Sequence, residues 1–206
     1  MKRTILGMSA AIAGFFFTHA NAGVITGEVT GGDSGGSLVV LNPNVNDVIL
    51  GTDTLQSPDI FVFEESTMVV TEDIALEFGG LSVGDTVTSF IVAFDPEIMQ
   101  TISGMIDFGA DIVGIASSDE TLAATMSFEN ALVNYLFAVN NVGLETRDSL
   151  SVNGGVLDFS LLAISPIDVI RVFTATELVT PLPAAFWMFL AGVGALGAAK
   201  RRKRAR

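Results

Sequence analysis

The sequence has no cysteine, and its one histidine, one tryptophan and one tyrosine are His19, Trp187 and Tyr135. Lysine occurs only near the two ends, at Lys2, Lys200 and Lys203. From Gly23 to Thr180 there is therefore no cysteine, histidine, lysine or tryptophan. Each absence removes a chemistry. Without cysteine there are no disulfides, so a folded body is held together by its core alone. Without histidine or lysine in the body there is no Ser–His or Ser–Lys nucleophile, no Schiff base and no imidazole zinc site. With tyrosine and tryptophan so scarce, few rings are available to stack on sugars. Carboxylate chemistry is what remains in quantity.

All 23 acidic residues lie between Glu28 and Glu177, where the only cations are Arg147 and Arg171. The whole-chain net charge of −13 thus conceals a strongly acidic body between basic ends. A field of that sign repels phosphates and argues against a nucleic-acid partner. It favours solubility and gathers small cations. Glycoside hydrolysis needs two carboxylates at a set separation, and among so many acids no pair stands out. A secreted, carboxylate-dependent glycan-active enzyme is therefore the alternative to a non-enzymatic role. No cofactor is required, but calcium suits such a surface through oxygens of Asp, Asn and the backbone. Asp47 in the Asn44-Val45-Asn46-Asp47 turn, Asp107 and Asp111 are its candidate ligands, in a calcium-dependent adhesion module.

The body alternates with period two. Ile74, Leu76 and Phe78 alternate with Ala75 and Glu77, and Phe90, Val92 and Phe94 share one side of their segment. Ile102, Gly104, Ile106 and Phe108 do the same, as do Leu157, Phe159, Leu161 and Ala163, with Ile170 and Val172 around Arg171. Such alternation predicts half-buried strands, one face in and one out. Turn chemistry separates them: Gly31-Gly32-Asp33, Asn42-Pro43-Asn44, Gly79-Gly80, Asp95-Pro96-Glu97, Asn153-Gly154-Gly155 and Ser165-Pro166. Asn153-Gly154-Gly155 predicts a hairpin. Ser118 predicts a helix N-cap, with Asp119 and Glu120 in the first turn and an end near Thr125. These features predict an all-β ectodomain, an antiparallel β-sandwich with a jelly roll as one arrangement and a closed barrel as the alternative.

One string invites a different reading. Gly32-Asp33-Ser34-Gly35-Gly36 spells the sequence around the nucleophile of trypsin-like serine proteases. That chemistry needs a histidine base on the serine, and the body has none. A glycine-rich turn between two early strands accounts for the string better.

The two ends carry targeting features. Met1-Lys2-Arg3 is cationic, Ile5 to Phe17 is apolar, and Ala20-Asn21-Ala22 offers small residues at a cleavage site. This predicts a signal peptide over 1–22, removed by signal peptidase to leave Gly23 first. The acidic ectodomain would occupy 23–175, followed by a linker and motif over 176–183. From Leu182 to Ala199 no residue is charged. A helix of that length spans about 27 Å, close to the hydrocarbon thickness of a bilayer. We expect a transmembrane helix over 184–199, with Trp187 as an interface anchor. The basic tail 200–206, through Lys200, Arg201, Arg202, Lys203 and Arg204, would stop in the cytoplasm.

The order of parts in this tail carries a resemblance. Pro181, Leu182, Pro183, Ala184 and Ala185 come first, then Trp187 and Phe189, then Gly192, Gly194 and Gly197, then the basic cluster. The tail resembles the PEP-CTERM class of sorting domains in its VPLPA variant, with Thr180 in place of the usual Val. The resemblance implies processing by an exosortase, a membrane transpeptidase-like enzyme of Gram-negative bacteria. It implies a precursor held in the inner membrane, then a product at the cell surface or in the extracellular matrix, in contact with exopolysaccharide or biofilm.

Overall fold

The computed structural model describes residues 24–44, 48–51, 53–136, 142–163 and 167–176. The expected signal peptide, sorting motif, membrane helix and basic tail lie outside these residues, as does Asp47. No helix among the described residues is long and apolar enough to cross a membrane.

Alternating and β-branched segments form the strands, in chain order. The first are β1 (Thr26–Gly32), β2 (Leu38–Val40), β3 (Ile49–Leu50), β4 (Ile60–Val69), β5 (Ile74–Ala75) and β6 (Phe78–Leu81). Next come β7 (Thr86–Phe94), β8 (Gln100–Asp107) and β9 (Ile112–Ala116), then the helix α1 (Asp119–Ala124) and a 3-10 turn at Met126–Phe128. The chain continues through β10 (Asn134–Tyr135), β11 (Ser149–Asn153), β12 (Val156–Ala163) and β13 (Asp168–Ala175). A four-stranded sheet has the order β1-β8-β12-β11, and a seven-stranded sheet the order β2-β4-β7-β13-β9-β6-β5.

The two sheets face each other across one core. Ile60, Val62, Phe90, Val92, Phe94, Ile170 and Val172 of the large sheet meet Ile102, Ile106, Leu157, Phe159, Leu161 and Ala163 of the small one. The side-chain sets predicted from alternation in β7, β8, β12 and β13 all point here. The fold is thus all-β and sandwich-like, but the large sheet is mixed, with β2 parallel to β4, and a separate two-stranded sheet pairs β10 parallel to β3. That division departs from the even antiparallel sheets of a jelly roll.

The expectation of one exposed face per strand fails for β7 and β13, which are buried on both faces. A second layer covers the outside of the large sheet. Phe63, Ile91, Ala93, Val169 and Phe173 there pack with Leu122 of α1, Phe128 of the 3-10 turn, and Val48 and Leu50. Phe128 and Phe173 meet edge to face, with ring centroids 4.9 Å apart.

Several local expectations hold. Ser118 caps α1, its hydroxyl accepting from the Thr121 amide while Thr121 returns a bond to the Ser118 amide. Asn153 pairs with Val156 across a Gly154-Gly155 loop, and Gly154 has φ +61°, a conformation glycine adopts without strain. Around Gly79-Gly80 the expectation is corrected. Residues 74–78 do not form one strand but split between β5 and β6, and both glycines lie inside β6. A Cβ on Gly79 would stand 2.0 Å from the Val113 carbonyl oxygen, so glycine here permits close approach to β9. Gly31 and Gly32 likewise end β1, and the turn begins at Asp33.

Candidate functional site

Strand β13 carries Arg171 on the same face as Val169 and Phe173, so the guanidinium enters the outer core instead of solvent. It is 1% exposed. Its Nε donates to Glu65 Oε2 at 2.7 Å and its Nη2 to Glu65 Oε1 at 2.9 Å, a two-pronged ion pair. Nη1 donates to Thr125 Oγ1 at 2.8 Å and to the Leu122 carbonyl at 3.1 Å, which ties the sheet to the end of α1. Glu65 also accepts from Ser89 Oγ at 2.5 Å and Tyr135 Oη at 2.7 Å. Burial, reinforced by the Glu65 charge, pushes the Tyr135 phenol far above its ordinary range.

A β-bulge aims Glu65. The β4–β7 register shifts between Glu64 and Ser66, so Glu64 opposes Phe90 while Ser66 opposes Ser89. The extra residue reverses the alternation beyond it. Ser66 Oγ then donates to the Phe128 carbonyl at 2.8 Å, and Met68 and Val70 pack in the outer core.

An open cleft of about 540 Å³ adjoins this network, with Asn42, Asn44, Glu64, Glu65 and Asn130 among its lining residues. Burial raises the Glu64 carboxyl above its usual range. Burial also raises Glu129, where Arg171 pulls the other way and Glu65 adds to the rise. Glu65 itself accepts four side-chain hydrogen bonds, two of them from Arg171.

A second acidic group closes one end of the inter-sheet core. Glu145, Asp148 and Asp168 each bring a carboxylate oxygen within 4.8 Å of the others. Asp168 opens β13 opposite Phe94 and alternates with Ile170 and Val172, so it belongs to the inward row. It is 2% exposed, and its Oδ2 has no hydrogen-bond partner among the described residues. Burial, with Asp148 and Glu145 adding to it, pushes its carboxyl up to about 8. Asp148 is fixed at both oxygens: Oδ1 accepts from the Leu162 amide at 2.8 Å and Oδ2 from the Glu145 amide at 2.7 Å. The Val169 amide donates to the Val142 carbonyl at 2.8 Å and secures the covering segment to β13.

The sequence-predicted ligands fall elsewhere. Asp107 is exposed and accepts from the Gly109 amide at 2.8 Å, in a local turn. Asp111 is exposed, and its carbonyl accepts from the Ala175 amide. Neither belongs to a group of three acids among the described residues. Ser34 of the glycine-rich string accepts from the Gly36 amide at 3.2 Å. Its neighbour Asp33 accepts from the Thr101 amide at 2.6 Å and the Thr101 hydroxyl at 2.8 Å, bonds that hold its carboxyl below the usual range. The string is a turn that pins β1 to β8.

Glu77, expected on the outer face of a strand, instead crosses to α1. It accepts from the Ser117 amide at 3.0 Å, from Thr121 Oγ1 at 2.7 Å and from the Ser118 hydroxyl. Burial is the largest single influence and opposes ionisation, yet the bonds from Ser118, Thr121 and Ser117 together hold Glu77 below its usual range. Asp95 is buried and accepts from the Leu55 amide at 2.8 Å, fixing the loop ahead of β4, while its Oδ1 has no partner among the described residues.

No family model matches the chain, and no curated protein and no solved structure shows significant similarity to it.

Proposed function

We propose that the chain is a non-enzymatic exported protein, an acidic β-sandwich ectodomain delivered by its two ends. The signal peptide 1–22 is cut after Ala22. The helix 184–199 holds the precursor in the inner membrane with the basic tail 200–206 inside. An exosortase-like enzyme then cuts near Pro181 to Pro183, and the ectodomain passes to the cell surface or to the extracellular polysaccharide. The observation that carries this reading is the order of motif, uncharged segment and basic cluster from Pro181 to Arg204.

Two further points support it. Strand β13 ends at Ala175, so only a short linker separates the core from the motif that begins at Pro181. The commitment of Glu65 to Arg171, Ser89 and Tyr135 favours a structural over a hydrolytic use of the carboxylates beside the cleft.

The test is mass spectrometry of the protein recovered from membranes, cell surface and medium. The expected result is a C-terminus ending between Thr180 and Ala185 in the surface and medium fractions, and an intact Arg206 only in the membrane fraction. Intact Arg206 in every fraction would remove the sorting reading.

A further inference from the structure

We propose that Glu145, Asp148 and Asp168 form a binding site for a hard divalent cation, calcium, at the end of the inter-sheet core. Three carboxylate oxygens lie within 4.8 Å of one another, a spacing one ion can bridge. Acidic clusters on a surface are usually just hydrated, but this one reaches inward. Asp168 is 2% exposed and its Oδ2 lacks any hydrogen-bond partner among the described residues, an arrangement that costs free energy unless something satisfies that oxygen.

The rest of the site is already positioned. The ladder with Phe94 fixes the backbone of Asp168, and the bonds from Leu162 and Glu145 amides fix both oxygens of Asp148. Each of those oxygens accepts one N–H and keeps a lone pair for a metal. The Asp148 amide donates back to the Glu145 carbonyl at 3.1 Å, closing the turn that sets the two acids side by side. Glu145 is exposed and gives an ion a path from solvent. Arg147, beside Asp148 in sequence, is exposed and forms no ion pair among the described residues.

Oxygen ligands of this kind suit calcium or magnesium over softer metals. Calcium is favoured because it accepts irregular geometry, with water completing the shell, whereas magnesium demands near-ideal octahedral placement. The site does not depend on how the chain is delivered. It also differs from Asp47, Asp107 and Asp111, the acids singled out from sequence.

Isothermal calorimetry and thermal melting of the full chain in detergent, titrated with calcium chloride after chelator treatment, test the proposal. The expected result is one calcium per chain with a Kd on the order of 10⁻⁴ M, and a Tm that rises with calcium. Asp168→Asn should abolish both responses. Glu145→Gln changes an exposed residue and should fold regardless, weakening binding by about tenfold or more. Asp107→Asn and Asp111→Asn should leave the response intact. Absence of heat and of any Tm change at millimolar calcium overturns the site. So does calcium binding that survives Glu145→Gln unchanged, and tighter binding of magnesium overturns the choice of metal.

Discussion

Arg171 stands between Ile170 and Val172, and by alternation alone it belongs on the solvent side of its strand. Its side chain is buried because α1 and the 3-10 turn cover that side. A signal was present: Val169 and Phe173, its neighbours on the same face, are apolar, and a strand facing water seldom brackets its one cation that way. A buried ion pair is expensive to break from one side, since the remaining charge keeps no partner. Arg171→Met should therefore cost about 3–5 kcal/mol in urea unfolding, and the double change with Glu65→Leu should cost less than Arg171→Met alone. A loss within about 1 kcal/mol for the single change would mean the pair is solvated.

Asp168 makes the opposite kind of demand. Its carboxyl stays protonated up to about 8 in the fold, against about 3.8 for an unperturbed aspartate. Between those values the folded state binds more protons than the unfolded state, so the Asp168 contribution is full below the window and is lost as pH rises through it. In chelator, the Tm difference between the wild-type chain and Asp168→Asn should shift against the wild type as pH rises from about 4 to about 8. A difference that is flat across that range would show that Asp168 titrates normally. Asp33 and Glu77, held below their usual range, act in the reverse sense and lose stabilisation on acidification, which is why the comparison uses the variant.

Among the elements, those whose structure is set by neighbours in sequence were readable. Ser118 with Asp119 and Glu120 announced α1, and Asn153-Gly154-Gly155 announced the β11–β12 hairpin. The bulge at Glu65 was not readable, because nothing in Phe63-Glu64-Glu65-Ser66 marks which residue is extra; the partner strand β7 decides it. The group formed by Glu145, Asp148 and Asp168 was equally hidden, since the pairing of β13 with β7 and the tie to Val142 bring its members together. Strand β13 is the element on which most depends, with β7 on one side and β9 on the other. Proline at Val172 removes a ladder donor and should leave the chain without a cooperative thermal transition by circular dichroism. At Val40, on the edge strand β2, the same change should leave a folded protein with a lower Tm. Comparable melts for the two variants would contradict the sheet order.

For the molecule as a whole, the all-β class, the inward rows of β7, β8, β12 and β13, and the positions of most turns could be read from alternation and from glycine, proline and asparagine. The second layer over the large sheet could not, because Val48, Leu50, Leu122 and Phe128 come from segments too short to show any period. The parallel pairs were hidden for the same reason.

The strand that completes the middle of the large sheet is also the last strand described, and its two flanking strands end at Phe94 and Ala116, long before it in the chain. The two halves of that sheet cannot join until Asp168 to Ala175 has been synthesised and has slotted between them. Up to that moment the large sheet stays in two pieces, and its closure waits on the last strand described.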